Sequence, residues 1–255
     1  MIKATAISDA GNKYTVNEDT YGWNMRSGLF FVADGMGGHA AGEIASGIVR
    51  ETLLQEGLTQ RLSDRVRSAH SAILDAVAAD SALAGMGSTV VALQVNSAHY
   101  ELVWVGDSRA YVWRSGELTR LSRDHSLVQA LIDSGEISAD QAQSHPQKNV
   151  VTQTLGVYEP KPDRADAALQ HKDWFLLCSD GLTDELTDDQ IADILSRSSS
   201  IEIAKDALLT AAKAGTCRDN VTIMMLRYSR YGNGTVIGVG ILLFAAAVGS
   251  WALFG

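Results

Sequence analysis

Val32-Ala33-Asp34-Gly35-Met36-Gly37-Gly38-His39 joins two unlike kinds of sequence. Before it, the apolar run from Gly28 to Ala33 has the length and the aromatic, β-branched content of a buried strand. After it come an aspartate and the glycines Gly35, Gly37 and Gly38, so Asp34 is expected where the sheet ends and the backbone turns sharply. Glycines there let the main chain approach whatever the carboxylate holds, because no Cβ intervenes and positive φ is free. A carboxylate beside an exposed carbonyl is a pair of hard oxygen donors, suited to Mg²⁺ or Mn²⁺ rather than zinc. The same residues also fit a plain Gly-rich βα turn in which Asp34 caps a helix, and the glycines alone do not separate the two.

The pattern recurs. The strand-like run Asp173 to Cys178 leads into Ser179-Asp180-Gly181, and Asp219-Asn220 stands at the mouth of the strand-like run Val221 to Leu226. Asp34, Asp180 and Asp219 thus share one setting, an acid beside Gly or Asn where a strand meets a turn. Gathering several carboxylates in one place is opposed by repulsion and desolvation amounting to several kcal/mol unless cations offset it. Two divalent ions roughly 4 Å apart answer this, and can activate a water and clamp a phosphoryl oxygen for in-line attack. There is no Ser-His-Asp or Cys-His nucleophile arrangement, P-loop or kinase catalytic loop.

The remaining chain supplies a scaffold. Ile2 to Ser8 alternates as a half-buried strand, and Asp9 to Asn12 is a turn. Ala41 to Leu54 reads as a helix with Ile44, Ile48, Leu53 and Leu54 apolar and Ala41, Gly42, Ala45 and Gly47 close-packing one face. A second helix, Arg61 to Ala79, carries His70 on its surface. Strands are expected at Ser88 to Val95, Tyr100 to Val105 and Ala110 to Arg114, with a hairpin at Ser115-Gly116-Glu117. Ser122 to Asn149 is polar, with a short helix from Ser126 to Ile132, and reads as a flap over a site; His125 and His145 on it are expected in solvent. Two helices follow, one with Thr187 and Gln190 as a capping box, the other pairing Ser199 with Glu202 and ending at Gly215. This order suggests two packed sheets with helices outside, not an alternating βαβ chain.

The chain has 255 residues, 46% of them hydrophobic, enough for one sizeable core, and its net charge of −9 argues against a nucleic-acid surface. Cys178 and Cys217 lack metal-ligand spacing, and no apolar secretory segment opens the sequence, which together suggest a reducing compartment. Thr235 to Phe254 contains no charged residue and is long enough to cross a bilayer as a helix. Arg227 and Arg230 precede it, so the positive-inside rule places the preceding domain in the cytoplasm. The organisation expected is a domain over 1–228, a juxtamembrane hinge over 229–234 and a single-pass anchor over 235–254 in the inner (cytoplasmic) membrane.

Seven blocks in order, Asn17-Glu18-Asp19, Val32 to His39, Gly87-Ser88-Thr89, Val105-Gly106-Asp107-Ser108-Arg109, Ser122-Arg123-Asp124-His125-Ser126, Cys178-Ser179-Asp180-Gly181-Leu182-Thr183-Asp184 and Asp219-Asn220-Val221-Thr222, resemble the bacterial metal-dependent serine/threonine protein phosphatases of type 2C. The resemblance covers about residues 4 to 227. It implies an α+β fold, a four-layer αββα sandwich of two antiparallel sheets flanked by helices, with the C-terminal transmembrane helix added. It also implies two Mn²⁺ or Mg²⁺ ions, Asp34 bridging both, the Gly35 carbonyl and Glu18 at the first, and Asp180 and Asp219 at the second. Asp107 and Asp184 match a weaker third ion's positions, although Asp184 equally reads as a helix cap and Asp107 as an ordering residue of its turn. The implied activity is hydrolysis of phosphoserine and phosphothreonine on proteins, with a cognate bacterial Ser/Thr kinase and its targets as partners.

Some positions depart from the family pattern. Tyr14 stands where the family usually has an arginine that grips phosphate, and Lys13 beside it offers only a point charge. Gln153 stands where many relatives have arginine, and Met36 replaces the general-acid histidine of eukaryotic members, with His39 nearby. A weakly active or inactive binding module at the membrane is therefore the alternative reading. A third is a partner-switching regulator acting on small anti-sigma-antagonist phosphoproteins.

Overall fold

The computed structural model describes residues 1–37, 41–55 and 60–230. Its first third comprises β1 (Ile2–Asp9), β2 (Asp19–Asn24), β3 (Leu29–Met36), α1 (Ala41–Leu54) and α2 (Leu62–Ala79). Then follow β4 (Gly87–Ser88), β5 (Val90–Val95), β6 (His99–Val105), β7 (Arg109–Arg114), β8 (Glu117–Arg120), α3 (Leu127–Asp133) and α4 (Ala139–Gln143). The last third holds β9 (Asp163–Ala168), β10 (Trp174–Cys178), α5 (Asp180–Thr183), α6 (Asp188–Arg197), α7 (Ile201–Ala214) and β11 (Val221–Tyr228).

Two antiparallel sheets result, one in the order β1-β11-β10-β7-β8, the other β2-β3-β5-β6-β9 with β4 paired to the end of β3. Their facing sides bury Phe30, Val32, Leu93, Leu102, Phe175 and Met224, among others. The outer side of the second sheet is covered by α1 and α2, and that of the first by α5, α6 and α7. Central strands are therefore buried on both faces, which is why Val90 to Leu93 of β5 and all of β10 read as apolar runs without alternation. The β7–β8 hairpin turns on Ser115 and Gly116, both with positive φ (55° and 86°), the backbone that matches the twist of a two-residue loop.

The expected sandwich forms, with several local corrections. In α1 the buried row is Ala41, Ala45, Val49 and Leu53, whereas Ile44 is 43% exposed and Gly47 faces open space. Ala41, Gly42 and Ala45 close-pack this face as expected, letting the helix lie close against β2 and β3, with Val49 and Leu53 completing it in place of Ile44. The cap of α7 is Ser200, whose hydroxyl accepts the Ile203 N–H at 3.3 Å, not Ser199; the apolar row Ile201, Ala204, Leu208 and Ala212 fixes that register. The Thr187/Gln190 capping box on α6 is present as expected. His70 is buried, not on the surface, and so is His125. Strands β2 and β9 and helices α4 and α5 are additional elements, and β8 is the return strand of the expected hairpin. Among the described residues no helix is long and apolar enough to cross a membrane; the expected span over 235–254 lies outside them.

Leu102, fully buried between the sheets, tests this packing against the corrected face of α1. Leu102→Ala is expected to lose about 2–5 kcal/mol in urea denaturation, whereas Ile44→Ala stays within about 0.5 kcal/mol.

Candidate metal centre

A cleft of about 480 Å³ opens at one end of the sandwich, lined by Tyr14, Glu18, Asp34, Gly35, Met36, Asp107, Asn149, Val151, Asp180, Asp219 and Asn220, among others. Asp34 does not sit at a turn as expected, since β3 continues through Gly35 and Met36, which pair with Ser88 and Gly87 of β4. The glycines serve close approach here. A Cβ on Gly35 would lie 2.0 Å from the Gly42 carbonyl oxygen, and one on Gly42 would lie 2.6 Å from the Glu18 carboxyl carbon. Only because both lack side chains does the first turn of α1 press onto β3 and seat the Glu18 carboxylate, where a helix N-terminus favours an anion.

Asp180 opens α5, and a Cβ on the next residue, Gly181, would lie 2.0 Å from the Asn220 carbonyl oxygen, so the 180 and 219 corners are packed together. Asn220 ties the remaining loops to them. Its Oδ1 accepts the Glu18 N–H at 2.7 Å, and its Nδ2 donates to the carbonyls of Ala10 (3.0 Å) and Val16 (3.2 Å). Asp19 stands directly opposite Asp34 across the β2–β3 ladder, accepting the Ser179 hydroxyl at 2.7 Å on Oδ2. Ser88 and Thr89 act through hydrogen bonds, Ser88 Oγ donating to the Asp34 carbonyl and Thr89 Oγ1 accepting the Asp34 N–H, each at 3.1 Å.

Asp184 lies in an adjoining groove of about 510 Å³ that shares Asp107, Asn149 and Asp180 with the cleft. Its carboxylate accepts Lys148 Nζ at 3.0 Å and Asn149 Nδ2 at 3.4 Å. It does not cap α6, which Thr187 does. Lys13 Nζ donates to the Tyr14 hydroxyl at 2.8 Å, and Gln153 Oε1 accepts the Lys161 N–H at 3.0 Å. His39 lies outside the described residues.

Residues 11–210 match the Protein phosphatase 2C family. The chain belongs to that family. It is 37% identical over 243 residues to the serine/threonine protein phosphatase PstP of Mycobacterium tuberculosis, an alignment covering 92% of this chain and 46% of PstP, so it spans about half of that relative's length. The PstP crystal structure superposes with a TM-score of 0.84 at 35% identity, covering 89% of this chain and 99% of that one. The catalytic domain of PstP in complex with 2 manganese ions gives a TM-score of 0.81 at 34% identity, covering 89% of this chain and 98% of that one.

In this phosphatase 2C chain the acids are electrostatically uncomfortable. Burial, then the charges of Asp19, Asp180, Asp107 and Asp219, raise the Asp34 carboxyl far above the ordinary range. Burial, then Asp107, Asp219, Asp184 and Asp19, do the same to Asp180. Asp107 is pushed up to about 7 and Asp19 to about 6, burial again being the first cause of each. Among the described residues no three His, Cys, Asp or Glu side chains converge closely enough to hold one ion as they stand. The donor set nevertheless fits a hard divalent cation. It is all oxygen, it is crowded with like charge, and the buried Asp180 Oδ1 and Asp19 Oδ1 have no hydrogen-bond partner. Asp19 and Asn220 were not singled out from the sequence. Their motifs were visible, but the ladder position of Asp19 and the bonding hub at Asn220 exist only once the strands pair.

The sign of the pH dependence follows. A carboxyl raised in the folded state binds more protons there than when unfolded, so stability falls as pH rises through that window. For Asp19 and Asp107 the window runs from the ordinary 3.8 up to about 6 and about 7. Thermal unfolding with a chelator present is expected to show a higher Tm near about pH 5 than near about pH 7.5. Adding Mn²⁺ at the higher pH is expected to raise it again.

Proposed function

We propose that this chain is a metal-dependent protein phosphatase that hydrolyses phosphoserine and phosphothreonine on proteins. The observation that carries the reading is the set of buried, mutually repelling carboxylates around one cleft in a phosphatase 2C fold. Asp34, the Gly35 carbonyl, Glu18, Asp180 and Asp219 would hold two Mn²⁺ or Mg²⁺ ions, with Asp107 and Asp184 as outer positions. Bound there, such ions supply Lewis-acid polarisation of the phosphoryl group and draw the pKa of water toward neutrality. Manganese is supported by the complex of the PstP catalytic domain.

The chain's own residues shape the rest. Thr89 and Ser88 fix the Asp34 backbone, Asn220 fixes the Glu18 backbone, and Tyr14, Val16, Met36 and Val151 wall the cleft beside the acids. Among the described residues lining the cleft none is Arg or Lys. Neutralisation of a phosphate dianion therefore falls to bound cations, with Lys13 and the Tyr14 hydroxyl as its nearest polar help from the 13–14 position. That lack of an arginine fork is also what favours the alternative, a weakly active binding module.

We also read the chain as a catalytic domain over 1–228, a hinge over 229–234 and a membrane span over 235–254, supported by the uncharged run Thr235 to Phe254. The last strand runs from Val221 beside the cleft to Tyr228, seven residues on and roughly 23 Å away. A tether leaving there would turn the cleft away from a bilayer and toward cytoplasmic phosphoproteins, such as targets of a bacterial Ser/Thr kinase.

Asp34→Asn, Asp180→Asn and Asp219→Asn should each lower Mn²⁺-dependent turnover of a phosphopeptide by roughly a hundredfold or more; wild-type turnover in all of them, or turnover unaffected by chelator, would reject the mechanism. Tyr14→Arg is expected to lower KM for phosphopeptide about tenfold, and silence with either residue supports the binding-module reading. Fractionation of the full chain checks the tether, which predicts recovery with membranes and release by detergent only.

A further inference from the structure

Two buried histidines outside the acid cluster each accept a glycine N–H on Nδ1. His70 on α2 is 4% exposed, and its Nδ1 accepts the Gly156 N–H at 2.9 Å while its Nε2 faces the solvent-exposed Glu159 carboxylate at 3.7 Å. His125, just before α3, is 8% exposed; its Nδ1 accepts the Gly106 N–H at 3.2 Å and its Nε2 lies 3.3 Å from Asp163 Oδ2. A ring nitrogen that accepts an N–H carries no proton, so each ring presents Nδ1 as acceptor and Nε2–H toward a carboxylate.

Both rings grip one segment, the strap over 152–163. His125 holds its two ends, through Asp163 and through its own carbonyl, which accepts the Thr152 N–H at 2.7 Å. His70 holds its middle at Gly156, with Glu159 facing its Nε2. Between these points Leu155 exchanges both backbone hydrogen bonds with Ser88 of β4, at 2.8 and 3.1 Å. Here β3 most needs support. Its ladder with β5 covers only Leu29 to Val32, and the overhang carrying Asp34, Gly35 and Met36 is held on that side by Thr89, which bonds the Asp34 backbone, and by the two residues of β4. His125 acts a second time on the cleft. Its N–H donates to the Gly106 carbonyl at 2.9 Å, so both polar backbone groups of Gly106 are bound by one residue, at the left-handed turn (φ 105°) that presents Asp107.

We propose that His70 and His125 are positioning residues for the acid cluster, setting the β3 overhang and the Asp107 turn through their acceptor bonds to Gly156 and Gly106. Neither touches the cleft, and neither is among the residues assigned above to ions or substrate. The kinetic consequence rests on the phosphatase reading; the bonding scheme does not.

Asparagine places an amide oxygen where Nδ1 stands, whereas glutamine reaches the Nε2 position and leaves the glycine N–H without its acceptor. In His70→Gln and His125→Gln, amide exchange at Gly156 or Gly106 and at Gly35 is expected to accelerate, and kcat to fall on the order of ten- to a hundredfold. KM for a phosphopeptide should stay within about threefold. In His70→Asn and His125→Asn, glycine protection and kcat should be retained. Wild-type kcat in the glutamine variants overturns the proposal, as does a loss that merely follows Tm and is equal for Asn and Gln. On the unmodified chain, ¹⁵N spectra of the imidazoles should show both rings protonated at Nε2 and bare at Nδ1; the opposite tautomer overturns the scheme even if no glutamine variant folds. Should the wild-type chain have no Mn²⁺-dependent turnover, the phosphatase reading falls, while the exchange and tautomer measurements still decide the histidine bonds.

Discussion

Bringing four aspartates and a glutamate to one cleft removes negative charge from water and sets it against more negative charge. Either effect alone raises a carboxyl's pKa, and together they move Asp34 and Asp180 far from their ordinary value. Among the described residues, every leading influence on those two carboxyls is a raising one. Arg109 and Arg120 pair with Asp124 and Lys148 with Asp184, and Arg109 offsets only part of the rise at Asp107. A fold that retained such a cluster without a cation would carry a standing liability. The arrangement therefore makes physical sense as half of a site whose other half is positive and comes from solution.

Holding the acids against their repulsion is the task of the sandwich. Asp34 and Asp19 belong to a paired ladder, and Asp180 and Asp219 follow or precede strands that neighbour each other in the opposing sheet. The corners interlock through Gly35 on Gly42 and Gly181 on Asn220, contacts too close for any side chain. Position is thus fixed by backbone packing, not by salt bridges between the acids and cationic partners. That suits a metal-binding role, because partners would compete with the ion, whereas packed backbone does not.

Much of this was legible in the sequence because the decisive features are local. Apolar runs ending in Asp-Gly, a Thr187–Gln190 capping box and a two-residue hairpin each announce themselves within ten residues, and the ordered motif blocks carry the family. What stayed hidden depends on pairing. β9 is composed of Asp, Arg and Ala, poor strand formers, and exists because β6 offers it an edge. Ile44 is strongly apolar, yet it is left exposed, since the face set by Ala41, Ala45 and Val49 turns it away from β3. His70 and His125 read as polar residues on polar segments; their burial follows from glycine N–H groups eighty-six and nineteen residues away.

That none of the described residues lining the cleft is Arg or Lys gives the proposed chemistry a thermodynamic consequence. With an arginine at position 14, phosphate would find a cation whether or not metal was bound, and the two ligands would bind nearly independently. With Tyr14 there, the described residues lining the metal-free cleft present negative and neutral groups to a dianion, in a chain of net charge −9. Substrate would then gain its electrostatic attraction from ions already in place, and each ion would in turn be held more tightly beside a bound phosphate. Such coupling is reciprocal by necessity, so the dependence of substrate affinity on divalent-ion concentration must equal that of ion affinity on substrate. A phosphatase 2C member lacking the arginine thus ties its phosphate affinity to ion supply more closely than one that carries its own positive charge.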